Sequence, residues 1–551
     1  MLHIFAISGL HIALIAWLFV QVFRLFRVSR ATAGAIVIPL IWFYTAATGW
    51  QSSAIRSTIM TSVIILAWSV NRPTDLLTSL AASALFILVW EPQQLFQASF
   101  QLSFFVVLSM ALLLPPVEKW IEKPFAPDPF LPPELIPWHK RRLKQAANPI
   151  LSSFAISFAA SLGSLPLIAY YFSLFTPITL VANLVIVPLS SLTLMCNVGS
   201  LVCGDWASAI GILFNHSAWF FMRLMIWLCE KLQAWPGAYF YVRHPTILEC
   251  VIYYVLLIGL FTGILWRRPV RFYTAGFCGV LLAGYAFAAW RDSASARITV
   301  LPGPGGSIVS SGTNRHQMIL FSPGDESAVQ YITKPFLRSL GVSTVPRVVL
   351  ASGETHHVSG IDLLEKNFEI EKLITGPLSF RSAAYKSTVE HWEKEDRCVS
   401  VRRGETIGVW TVLHPDTEDR FARAADKALV LKGEINGWRL LFLSDLGRLG
   451  QRALGQRGFE QLPSDIVVTS LPAEGEPLSD SLLETIQPKA IIVCSGEYPA
   501  TARPGKSLRE RLASRGLPVF YTHETGAVSL TLKPGKLILE TMRNQSIEWS
   551  R

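Results

Sequence analysis

Residues 97–115 read QASFQLSFFVVLSMALLLP, nineteen consecutive residues without a charge. A helix crossing the roughly 30 Å hydrocarbon core of a bilayer needs about 20 predominantly apolar residues. This stretch therefore predicts a membrane span. Its polar side chains fall in register. Gln97 and Gln101 stand one helical turn apart, and Ser99 and Ser103 form a second row at the same spacing. Polar groups inside lipid are costly and call for a reason.

Similar stretches lie on both sides, at 4–23, 31–49, 55–70, 76–90, 150–172, 176–203, 207–230, 247–266 and 272–290. Together they predict about ten spans. The stretches 55–70 and 76–90 are short, which suits either tilted spans or re-entrant segments lining a cavity. The first stretch has no basic residues ahead of it and is followed by further apolar ones, so it reads as a span rather than a cleaved signal.

Composition supports a chain of two kinds. It has 551 residues, 51% hydrophobic and only 16% charged, where soluble proteins carry about 25% charged residues. Residues 1–295 hold 18 Lys/Arg and 10 Asp/Glu, and the remainder holds 31 and 29. So +8 of the net +10 sits in the apolar part. That excess suits cytoplasmic loops and is weak grounds for nucleic-acid binding. The seven cysteines form no CxxC pair, which argues against a zinc ribbon or a disulfide framework.

Charge also predicts orientation. One alternate set of loops holds Arg24, Arg27, Arg30, Arg72, Lys119, Lys123, Lys140, Arg141, Arg142, Lys144, Arg267, Arg268 and Arg271. The other holds little beyond Arg56, Lys231 and Arg243. The first set is expected in the cytoplasm. The N-terminus and the region after Trp290 then face outward.

Several polar residues fall within the apolar stretches: Ser8, His11, Ser53, Arg56, Gln101, Ser103 and Asn183. Helix-to-helix hydrogen bonds, or an arginine snorkelling to the interface, account for any one of them. Taken together, polar rows in different spans favour a lined, hydrated path.

The pattern changes near residue 296. Short strand-like runs appear at 296–301, 317–321, 347–350, 439–443, 465–468 and 490–493, with helical stretches at 327–340, 478–486 and 506–515. A polytopic α-helical membrane domain, residues 1–292, is thus followed by an α/β domain, residues 293–551. The glycine-rich Gly303-Pro304-Gly305-Gly306 lacks the Lys-Ser/Thr of a P-loop and reads as a turn between strands. His391, His414 and His523 are isolated in sequence and are expected on the surface or in loops.

Four ordered segments resemble the ComEC family of DNA-uptake channels. His3 to His11 is similar to its H-x-x-A-x-S-G-L-H opening. Gly49 to Met60, with Ser53 and Arg56, resembles its G-x-x-x-S-x-x-R-x-x-x-M segment. Pro92 followed by Ser99-Phe100-Gln101-Leu102-Ser103 resembles a third, and Pro166, Phe172, Asn183 and Pro188 fall in the order of a fourth. The resemblance implies a bacterial inner-membrane channel that passes single-stranded DNA inward during natural transformation. Ser8, His11, Ser53, Arg56, Gln101, Ser103 and Asn183 are then its candidate lining residues. Implied partners are the strand, the bilayer, a DNA-receptor protein outside and a motor or helicase inside. Members usually carry further spans and a small β-rich domain ahead of the opening motif. With the chain starting at that motif, the membrane domain is expected to be N-terminally short, either through a truncated start or as a reduced form.

The second half is similar to the metallo-β-lactamase-like (αββα) fold found at the C-terminal end of many family members. In that fold an H-x-H-x-D-H strand-end motif binds a pair of metals that generate a nucleophilic hydroxide. Here Ser352 falls where the first His belongs, Glu354 at the second ligand, His356 at the Asp and His357 at the last His. The later Asp survives as Asp445, while residues 471–475 supply no His. The residual ligand candidates are Glu354, His356, His357 and Asp445, enough in principle for one zinc with a water. The preferred reading is a domain that kept its fold and lost its metals, with no cofactor and no catalysis. Two alternatives remain: a membrane-anchored metallo-hydrolase or nuclease acting on incoming DNA, and a reduced, non-catalytic membrane scaffold.

Overall fold

The computed structural model describes residues 9–72, 75–122, 138–204, 206–293, 295–303, 306–311, 318–457 and 461–551. The chain forms two compact units, Met1–Arg271 and Phe272–Arg551.

The first unit is helical. Its helices are α1 (Gly9–Leu25), α2 (Arg30–Ala47), α3 (Ser52–Ser69), α4 (Leu76–Trp90), α5 (Ala98–Glu122), α6 (Trp138–Phe172), α7 (Thr179–Cys203), α8 (Ser208–Gln233) and α9 (Ile247–Phe261). Helix α10 (Arg268–Ser293) runs into the second unit. Each of the ten apolar stretches read from the sequence is thus helical where it is described. Among the described residues, five helices are long and apolar enough to cross a membrane: Arg30–Ala47, Ala98–Ile121, Ala147–Phe172, Thr179–Cys203 and Ser208–Gln233. Four more are apolar but shorter. Helix α3 belongs to neither group, because Ser52, Ser53, Arg56, Ser57 and Thr58 crowd its first two turns.

Small residues let these helices approach closely, the packing mode available where lipid is as apolar as the side chains. A Cβ added at Gly163 of α6 would lie 1.7 Å from Ser109 Oγ of α5, and one at Gly34 of α2 would lie 1.8 Å from Ser69 Oγ of α3. Pro166 leaves a carbonyl unpaired one turn back in α6. The Tyr253 hydroxyl of α9 donates to that carbonyl, on Leu162, at 2.9 Å, and Tyr254 donates to Gly163 at 2.8 Å. By contrast Ile247, Leu248, Val251, Val255 and Ile258 of α9 are exposed, as a lipid-facing surface requires.

The unit has two distinct ends. At one, Arg24 and Arg30 lie over the Trp68 ring and Arg30 donates to Asn71. At the other, Gly9 of α1 meets Ser57 of α3. Two short strands, β1 (Leu174–Phe175) and β2 (Phe240–Tyr241), pair after α6 and α8.

The second unit is a sandwich of two mixed sheets. One sheet contains β3 (Ala296–Val300), β4 (Ile308–Ser311), β5 (Ile319–Phe321), β6 (Thr344–Val349), β7 (Glu369–Thr375), β8 (Cys398–Ser400), β16 (Val528–Lys533), β17 (Lys536–Thr541) and β18 (Ser546–Ser550). The other contains β9 (Thr406–Ile407), β10 (Trp410–His414), β11 (Val430–Ile435), β12 (Trp438–Phe442), β13 (Ile466–Ser470), β14 (Ala490–Cys494) and β15 (Val519–Tyr521). In each sheet an antiparallel set continues into four parallel strands, β5 to β8 and β12 to β15.

Inward side chains of both sheets form one core. Phe321 meets Trp410 edge-on at 5.5 Å, and Trp410 stacks on Phe442 at 4.3 Å. Gly433 makes room for that indole, since a Cβ there would sit 2.5 Å from the ring. The outer face of the second sheet, with Leu441, Val467 and Ile491, packs on Leu454, Leu483 and Leu512 of three helices, α11 (Arg448–Arg457), α12 (Asp480–Ile486) and α13 (Lys506–Ala513). Parallel β13 and β14 are buried on both faces and read as continuous apolar runs, whereas β16 alternates. This is the αββα layering expected of a metallo-β-lactamase-like unit. Its parallel strands end at one edge of each sheet, where their loops bring polar residues.

Candidate functional site

Most polar side chains of the first unit are satisfied within their own helices. Ser57, Ser69, Ser83, Ser109, Ser191 and Thr193 each donate to the carbonyl four residues earlier. Thr45 and Thr58 pair at 2.6 Å, both fully buried between α2 and α3. These are dry contacts that hold helices together.

A second group behaves differently. Arg56, in the second turn of α3, is 3% exposed. Its Nη1 donates to Ser99 Oγ in the first turn of α5 at 3.4 Å, and its Nε is buried without an acceptor. Two residues on, Gln101 accepts from the Tyr171 hydroxyl of α6 at 2.7 Å and donates to the Leu95 carbonyl at 3.0 Å. The starts of α3 and α5 and the close of α6 therefore share one polar end. Ser103 is half-buried one turn further along α5, and Asn183 is half-buried in α7. His11 and Ser53 are half-buried in α1 and α3. Ser8 lies outside the described residues.

In the second unit the residual ligand candidates meet at the strand ends. His357 sits in a single helical turn, Thr355–Val358, and Asp445 follows β12. Both are fully buried, with His357 Nε2 3.3 Å from Asp445 Oδ2. The contact is too poorly aligned for a hydrogen bond, so both ring nitrogens and Asp445 Oδ2 remain unpaired. The His356 ring lies 4.4 Å from that of His357, and its Nδ1 is 3.5 Å from Glu354 Oε2. One donor atom each from His356, His357 and Asp445 falls within 4.8 Å of the others.

Electrostatics keep His356 and Asp445 in metal-binding forms. Burial, followed by the neighbouring His357, lowers the His356 pKa to about 4, which leaves its imidazole neutral. Burial alone would raise the Asp445 carboxyl, but the two histidines outweigh it and hold it below the usual range. Burial and the charge of Asp445 push Glu354 upward. A 3.3 Å separation is close to the edge of a zinc tetrahedron with bonds of about 2.1 Å. The set fits a single ion. It does not fit a pair, since Ser352 offers no imidazole and residues 471–475 hold no His, Cys or Asp. Beside the trio is a cleft of about 380 Å³ lined by Glu354, His356, Phe380, Arg381, Ser382 and Lys427.

Two histidines expected on the surface prove otherwise. His414 is 3% exposed and, past an irregularity in β10, pairs with Val430, on the face away from Trp410 and Val412. Its Nε2 is 2.8 Å from the Asp426 carbonyl and its Nδ1 is 3.8 Å from Asp419, which Arg457 grips at 2.5 Å. The irregularity between Val412 and His414 breaks the two-residue alternation, so strand spacing does not announce its place. His523 pairs through Nδ1 with buried Ser495 Oγ at 2.6 Å and through Nε2 with Arg509 at 3.1 Å. Its partners lie 28 and 14 residues away, and no local pattern announces them. His391 is exposed, as expected.

Residues 1–269 match the family described as Competence protein. Over 563 residues the chain is 22% identical to ComE operon protein 3 of Bacillus subtilis, covering 96% of this chain and 68% of that one. It is 24% identical over 567 residues to Competence protein ComA of Neisseria gonorrhoeae, covering 100% of this chain and 73% of that one. Among solved structures, a metallo hydrolase from Ignicoccus hospitalis is similar over 47% of this chain and 99% of its own, with 8% identity and a TM-score of 0.29.

Buried His414 generates a pH expectation. Burial lowers its folded pKa below 6.5, so below that pH the unfolded chain binds more protons and stability falls as pH falls. His356 acts in the same direction, and Glu354, being raised, opposes it. Chemical denaturation of the second unit within the full-length protein should lose stability from about pH 7.5 to about pH 5. The His414→Gln variant should lose less over the same interval. Equal losses would show that His414 contributes nothing to the slope.

Proposed function

We propose, from the premise that this chain belongs to the competence protein family through residues 1–269, that it takes part in DNA uptake as an inner-membrane channel component for a single strand. Two relatives named for competence, similar over nearly the whole chain, support the role in competence. The observation that carries the channel reading is the polar end shared by α3, α5 and α6. There Arg56, Ser99, Gln101 and Tyr171 meet across helices while most other hydroxyls are satisfied locally. A strand of phosphates requires a hydrated, donor-rich route through low dielectric.

The end carrying Arg24, Arg30 and Arg72 is assigned to the cytoplasm by its basic charge, and the end carrying Arg56 to the outer side. By the same count of spans, the second unit belongs outside. Its role there is to bind the strand or a receptor rather than to cut, and the cytoplasmic partner is a motor or helicase.

One observation favours a second reading, a membrane-anchored metallo-hydrolase. Buried His357 and Asp445 atoms without hydrogen-bond partners are what a bound ion would satisfy. His356, His357 and Asp445 would hold the ion, and a metal there would supply a hydroxide nucleophile. With three protein donors the site resembles an open, single-ion arrangement.

Two measurements separate these readings. In a transformation assay, Gln101→Leu should lower uptake about tenfold, the scale of one lost hydrogen bond, at unchanged protein level. Unaltered uptake would count against the channel. Metal analysis of the purified full-length protein should find far less than one zinc or manganese per chain. Stoichiometric metal, lost in His357→Ala, would transfer support to the hydrolase.

A further inference from the structure

We propose that Arg56 is a fixed binding point for one phosphodiester anion, held where the N-terminal ends of α3 and α5 converge. The proposal rests on the channel reading and deepens it by naming the group recognised and the residue that recognises it. Four observations carry it, all within the first unit.

First, Arg56 is a guanidinium 3% exposed. Among the described residues its only hydrogen bond is the 3.4 Å contact to Ser99 Oγ, a neutral hydroxyl, and it makes no ion pair. Second, its Nε is buried with no acceptor at all. A cation so placed is left uncompensated, which neither lipid nor a dry helix contact relieves. The other arginines near α3 differ: Arg24 and Arg30 are exposed and rest on the Trp68 ring.

Third, the surroundings add positive potential. Helix α3 starts only four residues before Arg56, and its N-cap residue, Gln51, supplies no side-chain acceptor to the free N–H groups. Ser99 belongs to the first turn of α5, so the guanidinium is aimed at a second helix start. Helix α1 packs closely beside them, since a Cβ added at Gly9 would lie 2.5 Å from Ser57 Oγ, one residue from Arg56. Each helix start carries a partial positive charge and unsatisfied donors. Two such ends around a buried cation repel one another unless an anion joins them.

Fourth, the neighbouring side chains are neutral and already engaged. Gln101 is held by Tyr171 and by the Leu95 carbonyl. Among the described residues the site therefore lacks an internal counter-charge. A phosphodiester carries one negative charge and two free oxygens, which a guanidinium binds through paired N–H donors. With a single cation in the site, one linkage is held at a time, weakly enough for a strand to move on.

The test uses full-length protein in nanodiscs and a fluorescent oligothymidylate, with binding followed by anisotropy at several salt concentrations. Arg56→Met keeps the length of the side chain and removes the charge. It should bind about tenfold more weakly, and the slope of log affinity against log salt should shrink by about 0.7, the value for one phosphate on a single strand. Its melting temperature without DNA should equal or exceed that of the parent, because a dry site accepts an apolar side chain more readily than an unpaired charge. Arg56→Lys should retain the parent slope.

A parent slope in Arg56→Met would overturn the proposal while leaving the channel reading in place. Failure of both Arg56→Met and Arg56→Gln to fold, with Arg56→Lys folded, would mark a structural cation and would also overturn it. Absence of oligothymidylate binding by the parent protein would sink the channel reading and this site with it. Nanodiscs of zwitterionic and of anionic lipid distinguish the other source of the same chemistry. Loss of anionic-lipid retention in Arg56→Met, with DNA binding unchanged, would assign the site to a lipid headgroup and overturn the assignment to a strand.

Discussion

A hydrogen-bonding group taken out of water must find a partner, and in hydrocarbon no solvent supplies one. That constraint organises the first unit. Hydroxyls turn back on their own helices, Thr45 meets Thr58, and Tyr253 caps the carbonyl that Pro166 leaves open. Where the same rule is left unmet, at Arg56, chemistry is implicated, because an arginine is too costly to bury for packing alone. The polar end of α3, α5 and α6 stands out because there side chains of different helices bond one another, whereas Ser57, Ser69, Ser83, Ser109, Ser191 and Thr193 turn back on their own helices.

The second unit obeys the rule in a different way. Its backbone is satisfied by sheet ladders, and its side chains divide into a dry core between the sheets and a polar rim at the strand ends. Metal chemistry in such a fold depends on imidazoles and carboxylates arriving together at that rim. His356, His357 and Asp445 arrive there, whereas Ser352 and residues 471–475 offer no imidazole. What remains can hold one ion and lacks the ligands for two. The buried His414 and His523 networks belong to the scaffold, tying strands and helices together through carbonyls, hydroxyls and arginines.

Much of this was legible in the sequence. Helices announce themselves through length and apolarity, so the ten apolar stretches prove mainly helical where described, five of the helices being long and apolar enough to cross a membrane, and the parallel strands β5, β6, β12, β13 and β14 read as short apolar runs. Strands with mixed faces were harder: β7, β10, β11 and β16 to β18 alternate or carry charge and were not singled out. Site residues were visible as types, Arg56 and Gln101 because charge and amide are rare in such stretches. Their partners were not. That Arg56 meets Ser99 depends on how α3 packs against α5, and that Tyr171 meets Gln101 depends on a residue 70 positions away. Neither His414, which lies past an irregularity in β10, nor His523 could have been placed by strand alternation.

The most direct measurement is chemical access to that polar end. In a background without native cysteines, single cysteines at Gln101 and at Thr58 are exposed to a water-soluble, membrane-impermeant thiol reagent. A hydrated route makes Cys at position 101 react and lets single-stranded DNA slow the reaction, while Cys at position 58, sealed between α2 and α3, stays inert. Equal inertness at both positions, with or without DNA, would contradict a wet path and leave these groups as ordinary helix contacts.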